Sequence, residues 1–167
     1  GTYTNSGNIV GARMTGNVSG GRYVGGIVGD LSSNASVQTV RAEGSVSGSG
    51  DTGGLLGFAS GTGSLTAGDA LGDVTSSATT TFSVGGAVGY FNMAGGMGGV
   101  TAAGNVSGGA QTGGVVGTYN ASAALTGAAG PGRKRGRAGS DSTAPFAPKS
   151  RRRRHGKTWG KNRKRPF

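Results

Sequence analysis

Two groups of residues could do chemistry. The first is acidic: Asp30, Glu43, Asp51, Asp69 and Asp73 are the only carboxylates in residues 1–130, and Asp69 with Asp73 is the one close pair. General acid–base work and glycoside cleavage need two carboxylates in fixed geometry with shifted pKa values. These five stand at unrelated places, mostly among turn-forming residues, as solvated turn aspartates do. No catalytic residue, metal ligand or cofactor site is expected. Cysteine is absent and His155 is the one histidine, so thiolate zinc sites and a cysteine nucleophile are excluded.

The second group is basic. Residues 131–167 hold fourteen Lys and Arg against one acid, Asp141, a net of +13, while residues 1–130 hold three basic residues (Arg13, Arg22, Arg41) against five acids, a net of −2. The clusters are Arg133, Lys134 and Arg135; Arg151, Arg152, Arg153 and Arg154; and Arg163, Lys164 and Arg165, with Trp159 between the last two. Such clusters can neutralise phosphates while Trp159 stacks on a base, with affinity that falls steeply in salt. Phosphate contacts carry no sequence information, so the partner would be a polyanion of low specificity, nucleic acid or heparin-like. Two other readings stand beside this one. The segment is an address of the Lys/Arg type, or it is no evolved part of the protein, a frame shift or gene-model error having replaced what should follow residue 130. With Pro145 and Pro148 among the charges and few aliphatics, residues 131–167 are expected to be disordered.

Gly25-Gly26-Ile27-Val28-Gly29 resembles a phosphate-cradling loop. It lacks the strand-to-helix setting of such loops, and no copy of it is followed by Lys-Ser or Lys-Thr. It does have copies: Gly53-Gly54-Leu55-Leu56-Gly57, Gly85-Gly86-Ala87-Val88-Gly89 and Gly113-Gly114-Val115-Val116-Gly117. A second block precedes each one, at Gly16-Asn17-Val18-Ser19-Gly20, Gly44-Ser45-Val46-Ser47-Gly48, Gly72-Asp73-Val74-Thr75-Ser76 and Gly104-Asn105-Val106-Ser107-Gly108. The steps between these blocks are 28, 28 and 32 residues, because four residues are inserted in the third copy. Apolar positions recur in phase, at Ile9, Val37, Leu65, Met97 and Leu125 and at Tyr3, Leu31, Ala59, Phe91 and Tyr119. A fixed period of this length marks a solenoid or array. Calcium-binding nonapeptide repeats would need an Asp in every short period, and only Asp69 and Asp73 approach that. The Asn-x-Ser matches at Asn17, Asn34, Asn105 and Asn120 are glycosylation sequons only in a protein secreted by a eukaryote, and the two that overlap Val18 and Val106 read as turn and strand chemistry.

The elements that hold these residues are short runs of Val, Ile, Leu and Thr between Gly, Ser, Asn and Asp, which read as strands and turns. Glycine interrupts every stretch that could be helical, at roughly 1 kcal/mol each. The spacing predicts an all-β chain: a parallel β-helix, or β-solenoid, of about four coils, with three strands per coil and equivalent residues stacked about 4.8 Å apart. Val18, Val46, Val74 and Val106 should form one ladder and Val28, Leu56, Val88 and Val116 another. The motif glycines either supply positive φ or let backbones approach. Only one of Ile27 and Val28 should face inward in a regular strand.

With the motif laid out, residues 3–130 resemble GLUG repeats, named for the Gly-Leu-any-Gly core seen at Gly26–Gly29, Gly54–Gly57, Gly86–Gly89 and Gly114–Gly117. Ala87 departs from the usual aliphatic, and the third copy carries its insert. The resemblance implies an exported bacterial surface protein, adhesin-like, secreted or held at the cell surface, with residues 1–130 as a structural or adhesive stalk or passenger and with host or cell-surface glycans or proteins as partners. The metallopeptidases that accompany some such repeats do not carry over, since His-Glu-x-x-His is missing. A polysaccharide-processing β-helix enzyme is the third reading, after polyanion binding. The sequence opens at Gly1 without a signal-peptide pattern, so it reads as a piece whose leader would lie upstream. No run of about 18 apolar residues is present to span a membrane.

Overall fold

The computed structural model describes residues 1–109 and 111–130, and among them there is no helix. The chain winds about a single axis, and each strand pairs in parallel with its counterpart one coil away. The period appears as register. Val46 stands between Val18 and Val74, and Val74 pairs onward with Val106 across the four-residue insert. Leu56 stands between Val28 and Val88, which pairs with Val116. Both expected ladders therefore exist, as do those from Ile9 to Leu125 and from Tyr3 to Tyr119.

Each coil has four strands, where three were expected. In the second coil these are Val46–Gly48, Asp51–Gly53, Leu56–Gly61 and Leu65–Ala70, and stacking the coils makes four sheets, called first to fourth here in that order. The extra strand comes from a corner hidden inside the glycine motif. The Leu55 carbonyl accepts hydrogen bonds from both Ile27 N–H (2.9 Å) and Val28 N–H (3.1 Å), and the Ala87 carbonyl does the same for Leu55 (2.8 Å) and Leu56 (3.1 Å). One acceptor serving two successive donors means that the chain turns between them, so both side chains fall on the inner side. Leu55 with Leu56, Ala87 with Val88, and Val115 with Val116 are all buried. Strict alternation fails here because the two residues belong to a corner and not to one strand.

The same corner decides what the glycines are for. None of Gly25, Gly53, Gly85 and Gly113 has positive φ. A Cβ on Gly53 would sit 2.7 Å from both the Ala87 carbonyl oxygen and the Gly89 nitrogen, and closer still to the Leu56 carbonyl oxygen. Close backbone approach is the requirement. At the second motif glycine a side chain joins the backbone as an obstacle: a Cβ on Gly54 would lie closest to the Gly86 carbonyl oxygen and 2.7 Å from Ala70 Cβ, and one on Gly86 closest to the Gly114 carbonyl oxygen and 2.7 Å from Ala102 Cβ. That contact pinches the coil into two lobes. The larger holds Leu31, Val37, Leu55, Leu56, Leu65, Phe91 and Met93, and the smaller holds Val74, Val84 and Val106. Each such side chain contributes about 1.5–3 kcal/mol by leaving water.

Positive φ occurs elsewhere, singly at Gly61, Thr81 and Gly96 and repeatedly at one position in the fourth sheet. Gly11 (71°), Thr39 (52°), Ala67 (52°), Gly99 (62°) and Gly127 (57°) are equivalent, each two residues after the ladder from Ile9 to Leu125. Pairing skips this residue, passing from Thr66 with Gln38 to Gly68 with Val40. The left-handed conformation costs an L-residue about 1–2 kcal/mol, and glycine's greater unfolded-state freedom takes back about 0.5–1 kcal/mol. Exposed Ala67→Gly should thus raise stability by about 0.5–1 kcal/mol in urea unfolding. A lowered midpoint would contradict the strain.

Candidate functional site

The carboxylates do not converge. Asp69, on the outer side of the fourth sheet, accepts a hydrogen bond from Thr101 Oγ1 (2.6 Å) and lies 3.7 Å from Arg41. Beside it Glu43 is held by Arg13 and Arg41, each at 2.8 Å, and their guanidinium groups, Arg13 first, keep its carboxyl below the usual range. Asp73 has another partner: its Oδ1 accepts the Asn105 backbone N–H (2.7 Å) in the next coil. Asn17 does the same for Ser45 (2.9 Å) and Asn8 for Ser36 (3.0 Å). Asx side chains at the coil corners thus cap the amide one coil on, and this explains the Asn or Asp that follows Gly in the blocks of Asn17 and Asp73. Asp30 accepts from Ser32 Oγ (2.6 Å). The pair close in sequence, Asp69 and Asp73, is absorbed into two separate ladders.

Asp51 is different, and sequence reasoning did not single it out. Along the second sheet, Val24, Thr52 and Val84 face the small lobe and are buried, so Tyr23, Asp51, Ser83 and Gln111 face the other way. The third motif glycine folds the third sheet against them, since a Cβ on Gly57 would meet the Asp51 carbonyl oxygen at 2.9 Å. The outer column of the third sheet, Asp30, Phe58, Tyr90 and Thr118, therefore meets the outer column of the second. The Tyr23 and Phe58 rings lie 5.0 Å apart, and Phe58 stacks on Tyr90 at 5.1 Å with the planes 6° apart. Arg22 covers the Tyr23 ring at 4.9 Å. Further along, Ser83 Oγ lies 2.7 Å from Thr118 Oγ1, which donates to Gln111 Oε1 at 3.0 Å, and Asn120 Nδ2 donates to the Tyr90 hydroxyl at 3.2 Å.

This closed seam, half aromatic and half polar, leaves Asp51 only 7% exposed. Its Oδ1 accepts the Ser83 N–H at 2.6 Å. Burial pushes its carboxyl above the ordinary range, against the opposing pull of the Ser83 hydrogen bonds and the Arg22 charge. The signal in the sequence was the repeat position itself, two residues before each motif, where Tyr23, Ser83 and Gln111 are neutral and Asp51 alone is charged. The contact across the seam joins one coil to the next, as Tyr23 with Phe58 and Ser83 with Thr118, and that offset has no sequence mark.

Among the described residues no three His, Asp or Glu side chains are grouped to hold a metal ion, and no helix is long and apolar enough to cross a membrane. The expected polyanion-binding residues Arg133, Lys134, Arg135, Arg151, Arg152, Arg153, Arg154, Trp159, Arg163, Lys164 and Arg165 lie outside the described residues. The sequence matches no protein-family model, no curated protein and no solved structure.

Proposed function

We propose that residues 1–130 are a structural and adhesive repeat region, a stalk or passenger, of an exported bacterial surface protein. The observation that carries this reading is where the polar groups go. Asn8, Asn17 and Asp73 each cap an amide one coil on, and Asp69 and Glu43 tie rungs of one face together. Chemistry spent on joining like to like builds a rod whose length grows by about 4.8 Å per coil at constant cross-section. Its first sheet offers an exposed hydroxyl column, Ser19, Ser47, Thr75 and Ser107, in register. Such a column suits repeated weak hydrogen bonds to cell-surface glycans or proteins, and multivalency turns these into adhesion. The motif resemblance to GLUG repeats supports the exported bacterial setting. No catalytic role is proposed.

The concentration of +13 net charge in residues 131–167 favours a second reading, polyanion binding by that segment. Immobilised chain with and without residues 131–167 separates the two. If adhesion to glycan-coated surfaces survives the deletion, the array carries it. If the deletion abolishes adhesion and also salt-sensitive retention on heparin, the basic segment carries the activity and the stalk reading of adhesion fails.

A further inference from the structure

We infer that the seam between the second and third sheets is an acid-tightened latch, with Asp51 as its sensing group. The array has no structural need for a charge at this position. The equivalent residues Tyr23, Ser83 and Gln111 are neutral, and the strand bearing Asp51 is packed between those of Tyr23 and Ser83 and against those of Phe58 and Tyr90. A carboxylate there is stripped of most of its water and receives one N–H, from Ser83 at 2.6 Å. Burying an ionised group costs more than hydrogen bonds from one neighbouring residue return. The neutral acid keeps a carbonyl oxygen for the same N–H and avoids that cost.

The groups facing Asp51 are few. From its own sheet come Arg22, whose cation opposes the effect from beside the Tyr23 ring, and the Tyr23 phenol. From the third sheet come the Tyr90 phenol and the uncharged Phe58, whose neighbour in that column is Asp30, occupied with Ser32. The adjoining first-sheet strands Val46–Gly48 and Val74–Ser76 bring no charge. The sign follows from proton counting. With the native carboxyl raised above its unfolded value of about 3.9, the folded chain binds more protons in the window between the two. Asp51 therefore weakens the fold as pH rises through that window, weakens it fully above the native value, and has no effect below the unfolded one. Glu43 works in the opposite sense, so the comparison must isolate position 51.

Asp51→Asn in the full chain does this, because Asn retains the acceptor for Ser83 N–H. Urea midpoints of variant and wild type should differ in favour of the variant at about pH 7.5 and converge near about pH 3.5. Hydrogen exchange at the Ser83 amide, corrected for intrinsic rate, should show protection that rises on acidification in wild type and stays level in the variant. Arg22→Gln should widen the gap at neutral pH. A midpoint difference that is constant with pH, a variant less stable than wild type at neutral pH, or equal acid response of Ser83 protection in both chains would overturn the latch.

Discussion

Gly85→Ala should destabilise the array by more than about 3 kcal/mol, a large share of a domain's usual 5–15 kcal/mol, and so lower or abolish the cooperative unfolding step. The reason is what the added methyl meets. It would lie 2.7 Å from Gly117 N and 2.8 Å from the Val115 carbonyl oxygen, and closer again to the Val88 carbonyl oxygen. All three are backbone atoms of the corner and of the next coil, so no side chain can swing aside. Relief requires the coils to part, with loss of the hydrogen bonds that Ala87 N–H and Val88 N–H make to the Val115 carbonyl. Gly99→Ala is the matched control. Gly99 has φ of 62°, but a Cβ there would find nothing nearer than 3.6 Å, and Ala67 already occupies the equivalent place one coil below. Its cost should be about 1 kcal/mol. Urea unfolding followed by far-ultraviolet circular dichroism decides; equal losses for the two variants would mean that the motif glycines are not held by close approach.

Phe91→Ala should cost about 3–5 kcal/mol. Phe91 is wholly buried and stacks on Tyr119 at 5.3 Å with ring planes 7° apart. On its other side the ladder residue is Ala59, too short to fill the hole. Met93, the other large side chain at this level, is already packed towards Gly63, where an added Cβ would come within 2.8 Å of its terminal methyl. The cavity would therefore persist, adding its own cost to the lost transfer energy. Phe58→Ala, in the half-exposed seam, should lose clearly less. A Phe91→Ala loss under about 1 kcal/mol would show that the third-sheet ladder is not a packed core.

Much of this architecture was legible because a solenoid writes its contacts at one sequence separation. Val18, Val46, Val74 and Val106 touch because they share a repeat position, and the four-residue insert only shifts the offset from 28 to 32. What stayed hidden lay within a repeat or across it. Leu55 and Leu56 look like one strand because a corner made by backbone approach leaves no Pro, Asn or positive φ in the motif to mark it. The left-handed position in the fourth sheet was masked by Thr39 and Ala67, which adopt a conformation their types disfavour. The seam was beyond reach for another reason: Tyr23 meets Phe58, and Ser83 meets Thr118, through a fold of the cross-section that repetition along the axis does not encode. Of the carboxylates, the sequence pair Asp69 and Asp73 drew attention by proximity alone, while Asp51 gained its environment entirely from packing.

The stacked register is the claim on which the rest depends, and methyl–methyl nuclear Overhauser contacts measure it directly. Val74 methyls should show contacts to Val46, 28 residues before, and to Val106, 32 residues after, with Val18 reached only through Val46. Contacts from Val74 to residues at other offsets, or direct contacts between Val18 and Val106, would contradict the parallel in-register coils.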